Sequence, residues 1–410
     1  MSNHTAEEDE GMNQKVIVAG HICLDMAPKF PETLKGGLSQ VLVPGKLVNV
    51  GNMVLCTGGA VSNAGLAMAK LGMDVMLNGK VGDDQLGLII KKLVGRDRAS
   101  LIKAVKGEES SYTVILVLPG MDRIFLHNPG ANDTFGAEDV DYQAAKGCAL
   151  FHFGYPPLMK KMYENEGVQL VDIFKRIKKL GLTTSLDMSL PDPSSESGKI
   201  DWFRILEKLL VYVDIFAPSI EEITFMLDRP LFERSRLQAG DRDPVFAFTP
   251  EDYTAISDRL LEMGVKIISI KSGVRGCYLR SAGIDKIKQL GRAAPAEVAL
   301  WADRELWAPS YEAEELGSAT GAGDAMIAGF LCSLARGFSP EHSLQIANAV
   351  GWQNVRAVDA LSGIEGWDAT IKLLGDKTKT LNSPELKSGG WRYDKRVRIY
   401  RGPKDAEGKA

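Results

Sequence analysis

The sequence has no C-x-x-C pair, no apolar run of membrane-spanning length, no strong charge of either sign and no low-complexity tract. Each absence removes a class of protein. Its five cysteines (Cys23, Cys56, Cys148, Cys277 and Cys332) are odd in number and scattered through apolar runs, so reduced, buried thiols are expected rather than a metal or disulfide framework. Lys and Arg number 49 against 53 Asp and Glu, a net charge of −4, and no basic stripe interleaved with aromatics could track a phosphate backbone; no nucleic-acid partner is expected. The stretch Met1 to Gln14 is acidic and lacks the basic start and apolar core of a secretory signal, so a cytoplasmic protein without membrane association is expected. Two nucleotide fingerprints are missing as well. Pro44-Gly45-Lys46-Leu47 lacks the earlier glycine and the following hydroxyl of a G-x-x-x-x-G-K-[ST] loop, and the first strand ends without G-x-G-x-x-G.

What is present is an α/β rhythm. Lys15 to Gly20 (KVIVAG) reads as a buried strand opening into a loop, with Asp25 just beyond it. Further apolar runs at Val75–Leu77, Thr113–Leu118, Ala149–Phe153, Thr183–Leu186, Val213–Phe216 and Val265–Ile270 mostly alternate with helical stretches. This predicts a doubly wound, mostly parallel sheet flanked by helices. GGAVSNAGLAMAKLG, from Gly58 to Gly72, predicts a helix packed closely on that sheet. Two segments break the rhythm. Pro28 to Thr57, with turns at Gly36-Gly37 and Pro44-Gly45, reads as small strands outside the main sheet. Ser110 to Asn132 reads as a hairpin around a Pro-Gly turn. Together they suggest a β-sheet lid, residues 28–57 and 108–132, inserted in a domain spanning 15–375. Asp228 to Pro250 looks like a surface insertion and 376–410 like a polar C-terminal extension, with Trp391 and Tyr393 hinting at contact with the body.

The most informative string is Thr320-Gly321-Ala322-Gly323-Asp324, which opens an apolar helix. Two glycines in a first turn leave backbone N–H groups uncovered, and the helix dipole adds partial positive charge, so the turn can hold an anion. Asp324 sets a carboxylate beside that anion hole, where it can take the proton of an attacking hydroxyl. Taken alone, the same residues also describe a tight turn and a charge-complemented helix start.

TGAGDAMIAGFL resembles the C-terminal signature of the ribokinase-like (PfkB-type) carbohydrate kinases, and GKVGDDQLG, Gly79 to Gly87, is similar to their first signature. The resemblance runs from about Lys15 to Gly363 and implies an ATP-dependent, Mg2+-requiring sugar kinase. It implies substrate binding by Asp25, Gly58, Gly59 and Asn63, and catalysis by Asp324 with Gly321, Ala322 and Gly323. Lys271, Gly273 and Gly276 in IISIKSGVRGCYL, with Asn348, match its nucleotide positions; the plainer reading of the first three is a hairpin with a solvated lysine. Ser219 and Glu222 stand where the family has Asn-x-x-Glu, so Glu222 is the implied metal-side carboxylate, and the same pair also reads as a helix cap. Ser318 and Ala319 depart from the family's Asp-Thr, which puts its monovalent-cation site in doubt. Arg123, His127 and Asn132 on the hairpin are further specificity candidates.

The resulting model is a kinase transferring the γ-phosphoryl group of ATP to a sugar hydroxyl, under a lid that excludes water and that can also pair two subunits. A nucleoside kinase of the same fold is one alternative, if an apolar slot of residues such as Phe125, Phe153 or Tyr155 flanks the substrate site. A non-catalytic sugar or nucleotide sensor is the other.

Overall fold

The computed structural model describes residues 14–31, 41–118, 123–314, 316–357, 359–386 and 389–406. The acidic N-terminal stretch up to residue 13, Gly36-Gly37 and the Pro119-Gly120 turn lie outside the described residues.

Strand β1 (Lys15–Gly20) shows how the domain is layered. Side chains alternate along a strand, and here both faces are apolar: Val16 and Val18 belong to one core, Ile17 and Ala19 to another. A strand buried on both sides needs helices above and below it. One core gathers residues of helices 60–70, 85–94, 322–335 and 340–355, the other those of helices 168–179, 202–209, 220–227 and 250–262.

Between these layers β1 pairs in parallel with β4 (Asp74–Gly82), and β4 with β5 (Leu101–Val105). On its other side follow β8 (Leu150–Gly154), β9 (Thr183–Leu186), β10 (Ile215–Phe216) and β11 (Ile267–Lys271), all parallel. The expected runs lie in this sheet except Thr113–Leu118, which pairs instead with residues 24–26 and 124–128 in a second, smaller sheet. The far edge of the large sheet turns antiparallel through β12 (Cys277–Ser281) and β13 (Glu305–Ala308), and then β15 (Ile399–Arg401) and β14 (Arg392–Asp394) complete eleven strands.

The last two strands come from the polar tail, which is therefore part of the sheet. Its anchors are Trp391, whose ring packs edge-on against Tyr278 and Trp307, and the fully buried Asp405, which accepts from Arg304 at 2.7 Å. The 228–250 stretch is a helix, Arg229–Ala239, capped by Asp228 and seated through buried Leu231 and Phe232.

A separate four-stranded sheet has the order β3 (Met53–Gly58), β2 (Cys23–Pro28), β6 (Tyr112–Leu116), β7 (Ile124–Asn128). Strand β2 follows β1 directly and precedes the 28–57 stretch, so the first site carboxylate, Asp25, sits in the small sheet itself. The GKVGDDQLG string joins the two sheets. Asp84 caps the Gln85–Val94 helix through the Gly87 N–H and accepts from the Ser110 N–H at 2.8 Å and its hydroxyl at 2.6 Å, just ahead of β6. Among the described residues no helix is long and apolar enough to cross a membrane.

Candidate active site

The parallel strands β1, β8, β9, β10 and β11 point their carboxyl ends at one cavity of about 1140 Å³. In an open α/β sheet this is where ligands bind, because each strand end releases a loop over the same crevice. Here His21 follows β1, Tyr155 follows β8, Asp187 follows β9, Ser219 and Glu222 follow β10, and Lys271 closes β11. The small sheet supplies the opposite wall with Asp25, Thr113, Phe125 and His127.

Asp324 stands at the middle. Gly321 caps its helix at φ 77°, a conformation favouring glycine, and a Cβ there would come within 2.5 Å of Ala360. Behind that turn Asp324 is almost completely buried. Its Oδ2 accepts from the Tyr155 hydroxyl at 2.6 Å and the Asn63 amide at 3.1 Å, while its Oδ1 is buried without a protein partner. Burial pushes the Asp324 carboxyl above the usual range, against the hydrogen bond from Tyr155, the charge of Lys271 and the hydrogen bond from Asn63. An acid that lines a cavity, half satisfied and with weakened acidity, has the chemistry to take a proton from a ligand there.

Lys271 corrects the reading of a solvated hairpin lysine. It is buried, its Nζ lies 2.5 Å from Asp187 Oδ1 and 3.8 Å from Glu222 Oε2, and a Cβ on Gly323 would touch its side chain at 3.3 Å. Burial works against its charge, but the carboxylates of Asp187, Glu222 and Asp324 outweigh burial and hold the lysine protonated well above its ordinary range. Glu222 shares the cap with Ser219, accepting the Ser219 N–H at 2.6 Å while its own N–H donates to the Ser219 hydroxyl at 3.2 Å, and it also lines the cavity. The cap reading thus holds, and the same carboxylate faces the cavity.

Asp25, Gly59, Asn63, Lys271, Gly273, Gly321, Ala322, Gly323, Asp324, Asn348 and Glu222 all line the one cavity. Gly58 and Gly276 are not wall residues. A Cβ on Gly58 would lie 2.3 Å from the Asp25 carboxylate, so the bare position makes room for that side chain, and Gly276 presses on the Ala308 carbonyl. Asn348 is buried, not on the surface; its amide donates to the Ala308 and Pro309 carbonyls at 2.9 and 3.1 Å. Asn132 clamps the backbone of Ile22 through bonds of 3.2 and 3.0 Å, and Arg123 donates to the hydroxyls of Ser318 and Thr320. His127 meets His21 across the cavity at 3.4 Å and Thr113 at 3.0 Å. Burial, then His127, pushes the His21 imidazole down to about 3, so it stays neutral.

Asp187 and His21 are site residues that the sequence reading missed, and Tyr155 was named there only as an aromatic of a nucleoside slot, not as a partner of Asp324. Asp187 carried the same signal as Asp25, a carboxylate just past a buried strand. Tyr155 carried none, because its approach to Asp324 depends on a left-handed backbone at φ 66°.

A ribokinase-like α/β fold that sets a buried carboxylate at a glycine-rich helix start defines a small-molecule phosphotransferase. The chain belongs to the pfkB family of carbohydrate kinases, whose model matches residues 13–365. An uncharacterized sugar kinase of Archaeoglobus fulgidus is 25% identical over 300 residues, 73% of this chain and 98% of the relative. The 2-dehydro-3-deoxygluconokinase of Bacillus subtilis is 23% identical over 313 residues, 75% of this chain and 82% of that protein. Among solved structures, Arabidopsis thaliana ribokinase complexed with ribose and ATP superposes with a TM-score of 0.65 at 18% identity, covering 89% of this chain and 100% of that one. Xylella fastidiosa fructokinase with bound ATP gives 0.62 at 17% identity, covering 89% and 99%.

Proposed function

We propose that the protein transfers the γ-phosphoryl group of ATP to a hydroxyl of a sugar, with Asp324 as the general base. The unpartnered Oδ1 of Asp324 beside the Gly321–Gly323 turn carries this reading. Asp25 and Asn63 hold the sugar through its hydroxyls, and Gly59 lets the backbone approach it. The reacting hydroxyl gives its proton to Asp324 as its oxygen bonds to the γ-phosphorus. The bridging β–γ P–O bond breaks, and ADP leaves with those electrons. Negative charge on the transferring group meets the N–H groups of Gly321 and Gly323, with Lys271 held cationic nearby, while the Ala322 N–H donates to the Ala319 carbonyl at 3.2 Å and only supports the turn.

Among the described residues no three acidic, His or Cys side chains cluster to cage a metal. Asp187 Oδ2, buried without a partner, and Glu222, which like Asp187 lies beside Lys271, nevertheless have the hard oxygen donors that suit Mg2+. These two would hold it, and it would supply neutralisation of phosphate charge.

The test is ADP release from Mg-ATP over pentoses, hexoses, sugar acids, sugar phosphates and nucleosides, run beside Asp324→Asn. Sugar-dependent turnover by wild type alone is the expected result; ligand binding without turnover would move the protein to the sensor reading. One observation favours nucleosides as a second reading: Phe125, Tyr155, Leu158 and Leu190 share the cavity with Asp25. Phe153 is excluded from that slot because it lies in the core. The small sheet, which would act as the lid, leaves Met53, Leu55 and Leu126 exposed, which supports pairing of two copies through it.

A further inference from the structure

The cavity continues past Lys271 and Gly273 to an end walled by Val274, Ser310, Tyr311, Trp352, Val355 and Asn382. If phosphoryl transfer occurs at Asp324 with the triphosphate along Gly273, as proposed above, this end receives the base. Part of its wall comes from outside the family-matched region, which stops at residue 365. Tail residues run antiparallel to the 310–312 segment: Tyr311 bridges Leu381, the Glu312 N–H donates to the Thr380 carbonyl at 3.0 Å, and the Asn382 N–H donates to the Ser310 carbonyl at 2.9 Å. Lys379 reaches over Trp352, its Nζ 5.1 Å from the ring centroid, while the indole N–H donates to the Glu312 carbonyl at 2.9 Å. The tail is thus bound to the rim of the cavity as well as to the sheet edge.

The orientation of the Asn382 amide follows from its neighbours. Its nitrogen lies 3.3 Å from the Tyr311 carbonyl, which can only accept, and 2.9 Å from the Ser310 hydroxyl oxygen. That hydroxyl spends its own proton on the Val274 carbonyl at 2.5 Å, so toward Asn382 it can only accept. Both contacts therefore demand N–H donors, and the amide oxygen is left without a hydrogen-bond partner among the described residues. We infer that Asn382 is a base-reading residue of the nucleotide site: its carbonyl oxygen accepts from the exocyclic amine of adenine, and the C-terminal extension thereby sets the preference for ATP over GTP. Adenine carries an amino donor where guanine carries a carbonyl oxygen. Opposite a fixed acceptor the first gains a hydrogen bond and the second meets a like dipole.

The experiment is a titration of the full chain with Mg-ATP and with Mg-GTP by calorimetry, for wild type and Asn382→Ala, with steady-state KM for both nucleotides once a sugar substrate is in hand. Wild type should bind ATP at least tenfold more tightly than GTP. In Asn382→Ala the ATP affinity should fall about tenfold, with GTP binding, kcat and the KM for sugar within twofold of wild type, so that the preference collapses. General damage to the tail would weaken both nucleotides together, so an equal loss for ATP and GTP, or an undiminished ATP preference, overturns the inference while leaving the kinase reading intact. Ser310→Ala gives a second readout, because it removes an acceptor that orients the amide; it too should narrow the preference, and an unchanged ratio counts against the proposal. If wild type binds neither nucleotide, the proposed function falls with it, an outcome distinct from all of these.

Discussion

Asp324 combines two properties that seldom coexist, near-complete burial and an oxygen with no protein partner. Replacing it with Asn should lower turnover roughly a hundredfold to ten-thousandfold, the worth of a general base, with ATP affinity retained. A carboxyl whose proton is held more tightly in the folded than in the unfolded chain adds stability at acid pH. That contribution disappears as the pH rises through the folded value. Ionised Asp324 is therefore a cost at neutral pH, and Asp324→Asn should melt no lower than wild type in a calorimetric scan. Tyr155→Phe probes the same group from the other side. The Tyr155 hydrogen bond opposes the upward effect of burial, so removing it should raise the Asp324 carboxyl further and move the acid limb of the kcat/KM profile to higher pH. An unmoved acid limb would take Asp324 out of the rate-controlling ionisation. Asp324 was legible in the sequence because helix start, glycines and acid are adjacent; its partner Tyr155 lies 169 positions away and reaches it only through the turn after β8.

Among the elements, the central parallel strands were legible because each is a run buried on both faces, and the hairpin because its two strands flank a turn; the edge strand β5 was not, since LIKAV is buried at Ile102 alone. Strand β2 was not, since CLDMAP continues an apolar run and changes sheets only through its pairing with β3 and β6. The tail strands were hidden for another reason: they are short and polar, and their stability comes from charge pairing. Arg304 donates to Glu341 and Asp405, and Arg401 reaches Glu341 and Asp405, each at 3.1 Å, and Asp394 at 3.3 Å. Arg304→Met leaves two buried carboxylates short of a cation and should cost roughly 3–5 kcal/mol in urea unfolding. A smaller loss, below about 1 kcal/mol, would mean that the tail contributes little to the folded state.

At the scale of the molecule, the cavity lies between a layered α/β body and a small sheet whose outer surface carries exposed apolar side chains. If two copies pair there, light scattering on the eluted protein should give twice the mass of the 44.6 kDa chain, and Leu55→Asp should return it to the monomer mass. A wild-type monomer at micromolar concentration would dismiss the pairing. The division of labour between body and small sheet also explains what could be read beforehand. Body residues of the site follow strands that announce themselves by hydrophobicity. Contacts across the cavity, such as His21 with His127, join positions 106 apart and have no local signature.

The alternation along β1 has a consequence for changes of length. Val16 and Val18 serve one layer, Ile17 and Ala19 the other, and His21 and Asp25 hang from the same stretch. Exchanging one aliphatic residue for another trims a contact, whereas deleting a single codon anywhere in Lys15–Gly20 transposes both layers and pulls the first two polar site residues out of phase with the cavity. A library of one-codon deletions would therefore find this strand silent, while tolerating losses in surface turns such as Pro44-Gly45. The frame in which the chain is counted matters more here than the letters that fill it.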